Sequence, residues 1–186
     1  MKIAITGKMC SGKSTLANYI CSLDQRYKIY SFGKKVKDVA QDVFKMDPLN
    51  KDRTLLTSIG TKLREIDPDV WTKYIINQTQ EQEYCIIDDL RYQNEYEYLI
   101  QNDFKIIQLN VSPELQEKRI KDIYPHNFQD HLDNRNHISE RNEFQWVENH
   151  PPDLIIDSSL SVQKIQNIIN DFIKNNSQTD SLQKWI

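Results

Sequence analysis

Eight residues near the start of the chain, Gly7-Lys8-Met9-Cys10-Ser11-Gly12-Lys13-Ser14, constrain its fold more than any other feature. They satisfy the spacing G-x-x-x-x-G-K-[ST], follow the apolar run Lys2–Thr6, and lead directly into the amphipathic stretch Ser14–Leu23. Gly7 lets the chain leave a strand in a conformation that other residues resist, and Gly12 lets the backbone come close to phosphate oxygens. Successive N–H groups then point inward at the opening turn of a helix, where the dipole favours anions. In such a phosphate-binding loop (P-loop) the lysine bridges the β- and γ-phosphates of a nucleoside triphosphate, and the hydroxyl that follows is a Mg²⁺ ligand. A chance glycine-rich turn would have no reason to join a strand to a helix. The triphosphate site is thus read as Gly7, Lys8, Met9, Cys10, Ser11, Gly12, Lys13, Ser14 and Thr15, with ATP and Mg²⁺ as its ligands. Cys10 contributes its backbone N–H there, and nothing marks its thiol as catalytic.

Short apolar runs alternate with helical patterns along the rest of the chain. Strands are expected at Lys2–Thr6, Tyr27–Phe32, Tyr84–Asp88, Lys105–Val111 and Leu154–Asp157. Val36, Val39, Ala40, Val43 and Phe44 form the inner stripe of a helix, and Val162, Ile165, Ile168, Ile169, Phe172 and Ile173 that of the last one. Asp47-Pro48 and Asp67-Pro68 look like helix starts, with aspartate as N-cap and proline at the first helical position. A helix is expected over Gln93–Gln101, and another opens at Ser112-Pro113-Glu114. After Asn175 the sequence turns polar and is expected to fray, with Trp185 and Ile186 available to dock back. This alternation implies a parallel sheet with helices on both faces. Between Lys121 and Pro151 the pattern disappears into Asn, Asp and all four histidines, which reads as a lid.

At 186 residues the chain fits one domain (1–186), in which a helical segment at about 34–82 carries the acceptor site and about 121–151 forms the lid. The net charge of −3 argues against a nucleic-acid polymer as main partner. A mean hydropathy of −0.70 and the lack of a long apolar run argue against a membrane span. Three scattered cysteines, Cys10, Cys21 and Cys85, suit a reducing compartment, so a cytoplasmic location is expected. His126, His131, His137 and His150 match no zinc spacing and read as loop histidines.

A second carboxylate site lies in Ile86-Ile87-Asp88-Asp89-Leu90-Arg91, where an acid at the end of a core strand can orient Mg²⁺. Two adjacent aspartates facing one cleft would repel, so a cation is expected beside them. Asp88 and Ser14 are read as the metal site. P-loop proteins include switches, motors and kinases. A small-molecule kinase needs cations that hold the acceptor in line and a lid that excludes water. Lys37, Arg53, Arg64 and Arg91 are candidates for the first, and Arg119, Arg135 and Arg141 for the second.

Several phrases then carry a family resemblance: Ser31-Phe32-Gly33-Lys34-Lys35-Val36-Lys37, Lys51-Asp52-Arg53, Ile59-Gly60-Thr61 with Arg64, Asp67 and Trp71, Asp89-Leu90-Arg91 with Asn94-Glu95, and His137-Ile138-Ser139-Glu140. In order and spacing the chain resembles, over roughly Lys2 to Ile173, the deoxynucleoside monophosphate kinases of phages and giant viruses, a branch of the adenylate-kinase-like enzymes. The resemblance implies a three-layer P-loop kinase fold of about five parallel strands in the order 2-3-1-4-5. It also implies ATP as donor, Mg²⁺, a deoxynucleoside 5′-monophosphate as acceptor and, for a viral protein, the host cytoplasm as location. On the matching positions it implies Lys13, Asp89 and Arg91 as catalytic residues and Phe32, Lys37, Arg64, Trp71 and Arg91 around the acceptor. Trp71 reads equally well as core. The alternatives are a kinase for dephospho-coenzyme A or phosphomevalonate, or a non-catalytic nucleotide switch; base preference and dimerisation are left open.

Overall fold

Ile3 and Ile5 of the first strand pack into one core cluster and Ala4 into another, because successive side chains of a strand point to opposite faces. Ile86 and Ile87 divide in the same way, as do Ile107 and Ile106. A strand apolar on both faces has to be covered on both, which is the condition of a buried parallel sheet. The computed structural model describes residues 1–49, 52–133 and 150–183; at 53 and 177–183 it describes the backbone alone.

The strands are β1 (Lys2–Gly7), β2 (Lys28–Tyr30), β3 (Cys85–Leu90), β4 (Phe104–Asn110) and β5 (Leu154–Asp157), all parallel in the order β2-β3-β1-β4-β5. This is the expected sheet. The helices among the described residues are α1 (Lys13–Leu23), α2 (Phe32–Phe44), α3 (Arg53–Ile66), α4 (Val70–Thr79), α5 (Gln93–Gln101), α6 (Pro113–Ile123), α7 (Phe128–Asp133) and α8 (Val162–Gln183). Helices α2 to α5 cover the face of Ala4 and Ile87 with Phe32, Ala40, Ile59, Trp71, Ile75, Tyr96 and Leu99. Helices α1 and α8 cover the other with Leu16, Ala17, Ile20 and Ile169. Among the described residues no helix is long and apolar enough to cross a membrane.

Local expectations fail where a side chain finds a nearer partner. Asp47 does not start a helix, because its Oδ1 accepts from the Leu49 N–H in a tight turn. Helix α3 starts later, capped by Asp52, which accepts from the Leu55 N–H. Asp67 closes a turn by accepting from the Asp69 N–H, and α4 begins only at Val70. Val43 and Phe44 are exposed, 67% and 56%, because the last turn of α2 projects past the core before Lys45 ends it at φ 58°. Val162 is exposed at the start of α8, and that helix continues beyond Asn175 rather than fraying there. β2 is shorter than expected, since Phe32 already opens α2. The lid span contains the helix α7, and its residues 134–149, like Trp185 and Ile186, lie outside the described residues.

Candidate active site

Strand β1 ends at the point where the chain reverses its course across the sheet, moving first to β2 and β3 and then to β4 and β5. Ligands of open parallel sheets bind in the crevice beyond the carboxyl ends of the strands at that point. A cleft of about 1130 Å³ opens there, lined by the P-loop and by residues of α2, α3, β3, α6 and α8. It exceeds the roughly 300–1,000 Å³ of a single small-molecule pocket and has room for two substrates.

The loop Gly7–Lys13 is held from outside. Gln116 Nε2 donates to the Met9 carbonyl at 3.1 Å, Arg119 Nη1 to that of Cys10 at 3.1 Å, and Ser158 Oγ to that of Ser11 at 2.8 Å. In a trans peptide the C=O and the next N–H point in opposite directions. Drawing these carbonyls toward α6 and the β5–α8 turn therefore points the N–H groups that follow them away from those elements, and that of Ser11 donates to the Lys8 carbonyl at 3.2 Å. Gly7 (φ 147°) and Gly12 (φ 102°) take left-handed conformations, as does Cys10 at φ 60°. A Cβ on Gly7 would lie 2.6 Å from both the Leu109 carbonyl oxygen and Ser11 Oγ. A Cβ on Gly12 would meet nothing within 4 Å, so open space stands in front of that backbone. Lys13 Nζ curls back to the Gly7 and Lys8 carbonyls, 2.6 and 2.9 Å away. Left-handed backbone at the start of a helix, a lysine at the mouth and empty space before Gly12 together fit a polyphosphate.

Ser14 Oγ donates to Asp88 Oδ2 at 3.0 Å. Burial, then the neighbouring Asp89, raises the Asp88 carboxyl above the ordinary carboxylate range, while the Ser14 bond and Lys13 work against this. Two hard oxygen groups are what Mg²⁺ asks of a protein when phosphates and water supply its other ligands. A cation bound there would favour the ionised carboxylate.

Asp89, expected to be catalytic, is otherwise engaged. Its carboxylate accepts from Ser31 Oγ at 2.7 Å, the Phe32 N–H at 2.9 Å and the Gly33 N–H at 2.8 Å, capping α2 from the neighbouring strand. Gly33 permits this approach, since a Cβ there would stand 3.2 Å from Asp89 Oδ2. The two adjacent aspartates avoid confronting each other by taking different partners.

Phe32, Val36 and Lys37 of α2, Leu56, Thr57, Thr61 and Arg64 of α3, and Arg91 line the part of the cleft away from α8. The Arg64 guanidinium lies over the Tyr92 ring, 4.0 Å from its centroid, and donates to the Gly60 carbonyl and to Glu95 Oε1. Trp71, expected beside the acceptor, belongs to the core. It is 4% exposed, and its indole N–H donates to the Gly60 carbonyl from below α3. Arg119, expected in the lid, is instead fixed on α6 between Cys10 and the Ser158 carbonyl. Arg135 and Arg141 lie outside the described residues, as does the side chain at 53. Sequence reasoning missed Glu95, Gln116 and Ser158. Only Glu95 had a signal, as part of the Asn94-Glu95 phrase.

The family model described as AAA domain matches residues 3–143. The chain belongs to that family. No curated protein matches it. Among solved structures, this AAA-domain chain is similar to a gluconokinase from Sinorhizobium meliloti 1021, with 13% identity and a TM-score of 0.60 over 98% of this chain and 96% of the other. It is similar to shikimate kinase from Aquifex aeolicus vf5, with 12% identity and a TM-score of 0.54 over 96% and 99%. A sugar kinase from Janibacter sp. HTCC2649 aligns at 10% identity and a TM-score of 0.58 over 93% and 94%. At these identities the likeness establishes the P-loop kinase fold.

Proposed function

We propose that the chain is a phosphotransferase that moves the γ-phosphate of ATP to the phosphate of a deoxynucleoside 5′-monophosphate, giving ADP and the diphosphate. The observation that carries this reading is the state of the carboxylates in the cleft. Among its described lining residues they are Asp88, Asp89 and Glu95, and all three are engaged: by Ser14, by the N-terminus of α2, and by Arg64 with the turn at Arg91. A neutral hydroxyl acceptor needs a base within reach of its proton. An acceptor phosphate is already anionic and needs cations to hold it, and Lys37, Arg64 and Arg91 face the same space.

In this reading the P-loop amides and Lys13 grip the triphosphate, and Ser14 with Asp88 holds Mg²⁺, which neutralises charge on the β- and γ-phosphates when bound. Lys37, Arg64 and Arg91 orient the acceptor oxygen in line with the γ-phosphorus and offset the repulsion between two anions. The apolar side chains of Phe32, Val36 and Leu56 offer a surface for the nucleoside.

Phosphomevalonate, whose accepting atom is also a phosphate oxygen, meets the same charge argument, whereas dephospho-coenzyme A would present a hydroxyl. The test is a coupled ADP-release assay with all common dNMPs and NMPs, phosphomevalonate, dephospho-coenzyme A, gluconate and shikimate. Turnover confined to deoxynucleotides supports the proposal. Turnover of a hydroxyl acceptor alone, or slow hydrolysis that no acceptor stimulates, overturns it.

A further inference from the structure

Four residues that carried the family resemblance, Gly60, Trp71, Asn94 and Glu95, are given no part in the transfer just described. Gly60, Trp71 and Glu95 are linked through Arg64 in one part-buried network, and Asn94 anchors the adjoining turn through bonds of its own. The Gly60 carbonyl accepts from Trp71 Nε1 at 3.2 Å and from Arg64 Nη1 at 3.3 Å. Arg64 Nη2 reaches Glu95 Oε1 at 3.2 Å, and Glu95 Oε2 accepts from the N–H groups of Arg91 at 3.0 Å and Tyr92 at 3.1 Å. Asn94 Nδ2 ties the same turn to the Pro68 carbonyl and to Asp69 Oδ1 between α3 and α4.

Glu95 is the unusual member. A glutamate at the third position of a helix that reaches back to the N-cap N–H is ordinarily a surface device. Here the residue is 1% exposed, and a buried charge is costly unless it is paired. Capping alone does not require that burial. The ion pair with Arg64 gives the carboxylate its second use, because its two oxygens connect α3 to the β3–α5 turn. Among the described residues Arg64 spends two of its five N–H donors, on Gly60 and Glu95, and the rest of its fork is what a bound anion would use.

We propose that Glu95 is a positioning residue of the acceptor site: one carboxylate holds Arg64 over Tyr92 and pins the turn that carries Arg91, so that two arginines on different elements meet the same acceptor phosphate. The inference rests on the phosphate-acceptor reading above.

The test compares steady-state kinetics of the parent, Glu95→Gln, Arg64→Ala and the double variant, with dTMP and ATP varied separately. At pH 8, Glu95→Gln raises the KM for dTMP about tenfold or more while kcat and the KM for ATP stay within about threefold. In the Arg64→Ala background the same change adds clearly less than it does in the parent, because one of the two arginines it acts through has gone. A helix cap and nothing more would lower the melting temperature and leave this split absent; that result overturns the proposal. So does a full tenfold effect that persists without Arg64. Should Glu95→Gln fail to fold, Arg64→Lys probes the contact from the other side, since an ammonium cannot bridge Gly60 and Glu95 as a fork does. An unchanged dTMP KM in that variant also counts against the proposal. Failure of the acceptor reading has its own signature: the parent turns over no nucleotide. The same proteins are then compared on the acceptor that the screen finds, and the same outcomes decide.

Discussion

Ser14 Oγ and Asp88 Oδ2 lie 3.0 Å apart, although 74 positions separate them in the chain. The first residue opens the helix after β1, and the second sits near the end of β3, the strand paired with β1. Parallel pairing of β1 with β3 and the turn of the P-loop into α1 together bring the two groups to the same end of the sheet.

Replacing Asp88 with Asn keeps the side-chain shape and removes the charge behind Ser14. The expected result is a fall in kcat of about 10–100-fold, with the Mg²⁺ concentration for half-maximal rate moved upward, as outer partners of metal ligands usually show. Binding of ATP measured in EDTA should change little. A Mg²⁺ titration of the rate checks the first expectation and calorimetry the second. An unaltered Mg²⁺ dependence would remove Asp88 from the metal site.

Lys13→Ala and Arg91→Ala should both abolish useful turnover, by different routes. A single arginine at a transferring phosphoryl group is worth about 10³–10⁵ in rate in P-loop systems. Loss of Lys13 weakens ATP binding itself, whereas loss of Arg91 leaves ATP affinity nearly intact. Rates together with ATP dissociation constants separate the two. Turnover of Arg91→Ala near the parent rate would sink the acceptor assignment.

The two P-loop glycines should fail for different reasons when changed to Ala. Both hold left-handed backbone, a strain of roughly 1–3 kcal/mol for a residue with a Cβ. At Gly7 the methyl would also collide with the Leu109 carbonyl and Ser11 Oγ, so Gly7→Ala should melt lower than Gly12→Ala. At Gly12 the methyl points into open space that the phosphates need, so that variant should keep more of its stability and lose ATP binding. Melting curves with and without ATP and Mg²⁺ read both effects. Equal melting temperatures would contradict this account of Gly7.

The sheet and the P-loop were legible because they rest on local signals: apolar runs, a fixed glycine spacing, and Ser112 before Pro113 as a helix start. What was not legible depends on contacts between distant segments. Nothing local distinguishes Asp88 from Asp89, yet one faces Ser14 and the other caps α2, because consecutive strand residues point to opposite sides. Trp71 could be read as pocket or core until the packing of α4 under Gly60 decided it. Gln116 and Ser158 carry no motif, and their role exists only through the carbonyls of Met9 and Ser11 that they hold.

Glu95 makes the protein's stability depend on pH with a definite sign. Burial foremost, with the charge of Asp89 adding to it, pushes its carboxyl up to about 7, against the pull of the Arg91 and Tyr92 N–H groups and of Arg64. A group that holds its proton more tightly when folded favours the folded state below its unfolded value of 4.5, and that advantage is lost as pH rises to about 7. The difference corresponds to roughly 3 kcal/mol. Gln at this position cannot titrate. The melting temperature of Glu95→Gln relative to the parent should therefore improve between pH 4.5 and pH 8, by up to several degrees for a chain of this length. The acceptor KM of the variant should worsen over the same interval relative to the parent, because only the ionised carboxylate holds Arg64. Opposite pH trends in stability and acceptor KM are the expected signature, and a pH-independent difference in melting temperature would show that Glu95 ionises like an exposed glutamate.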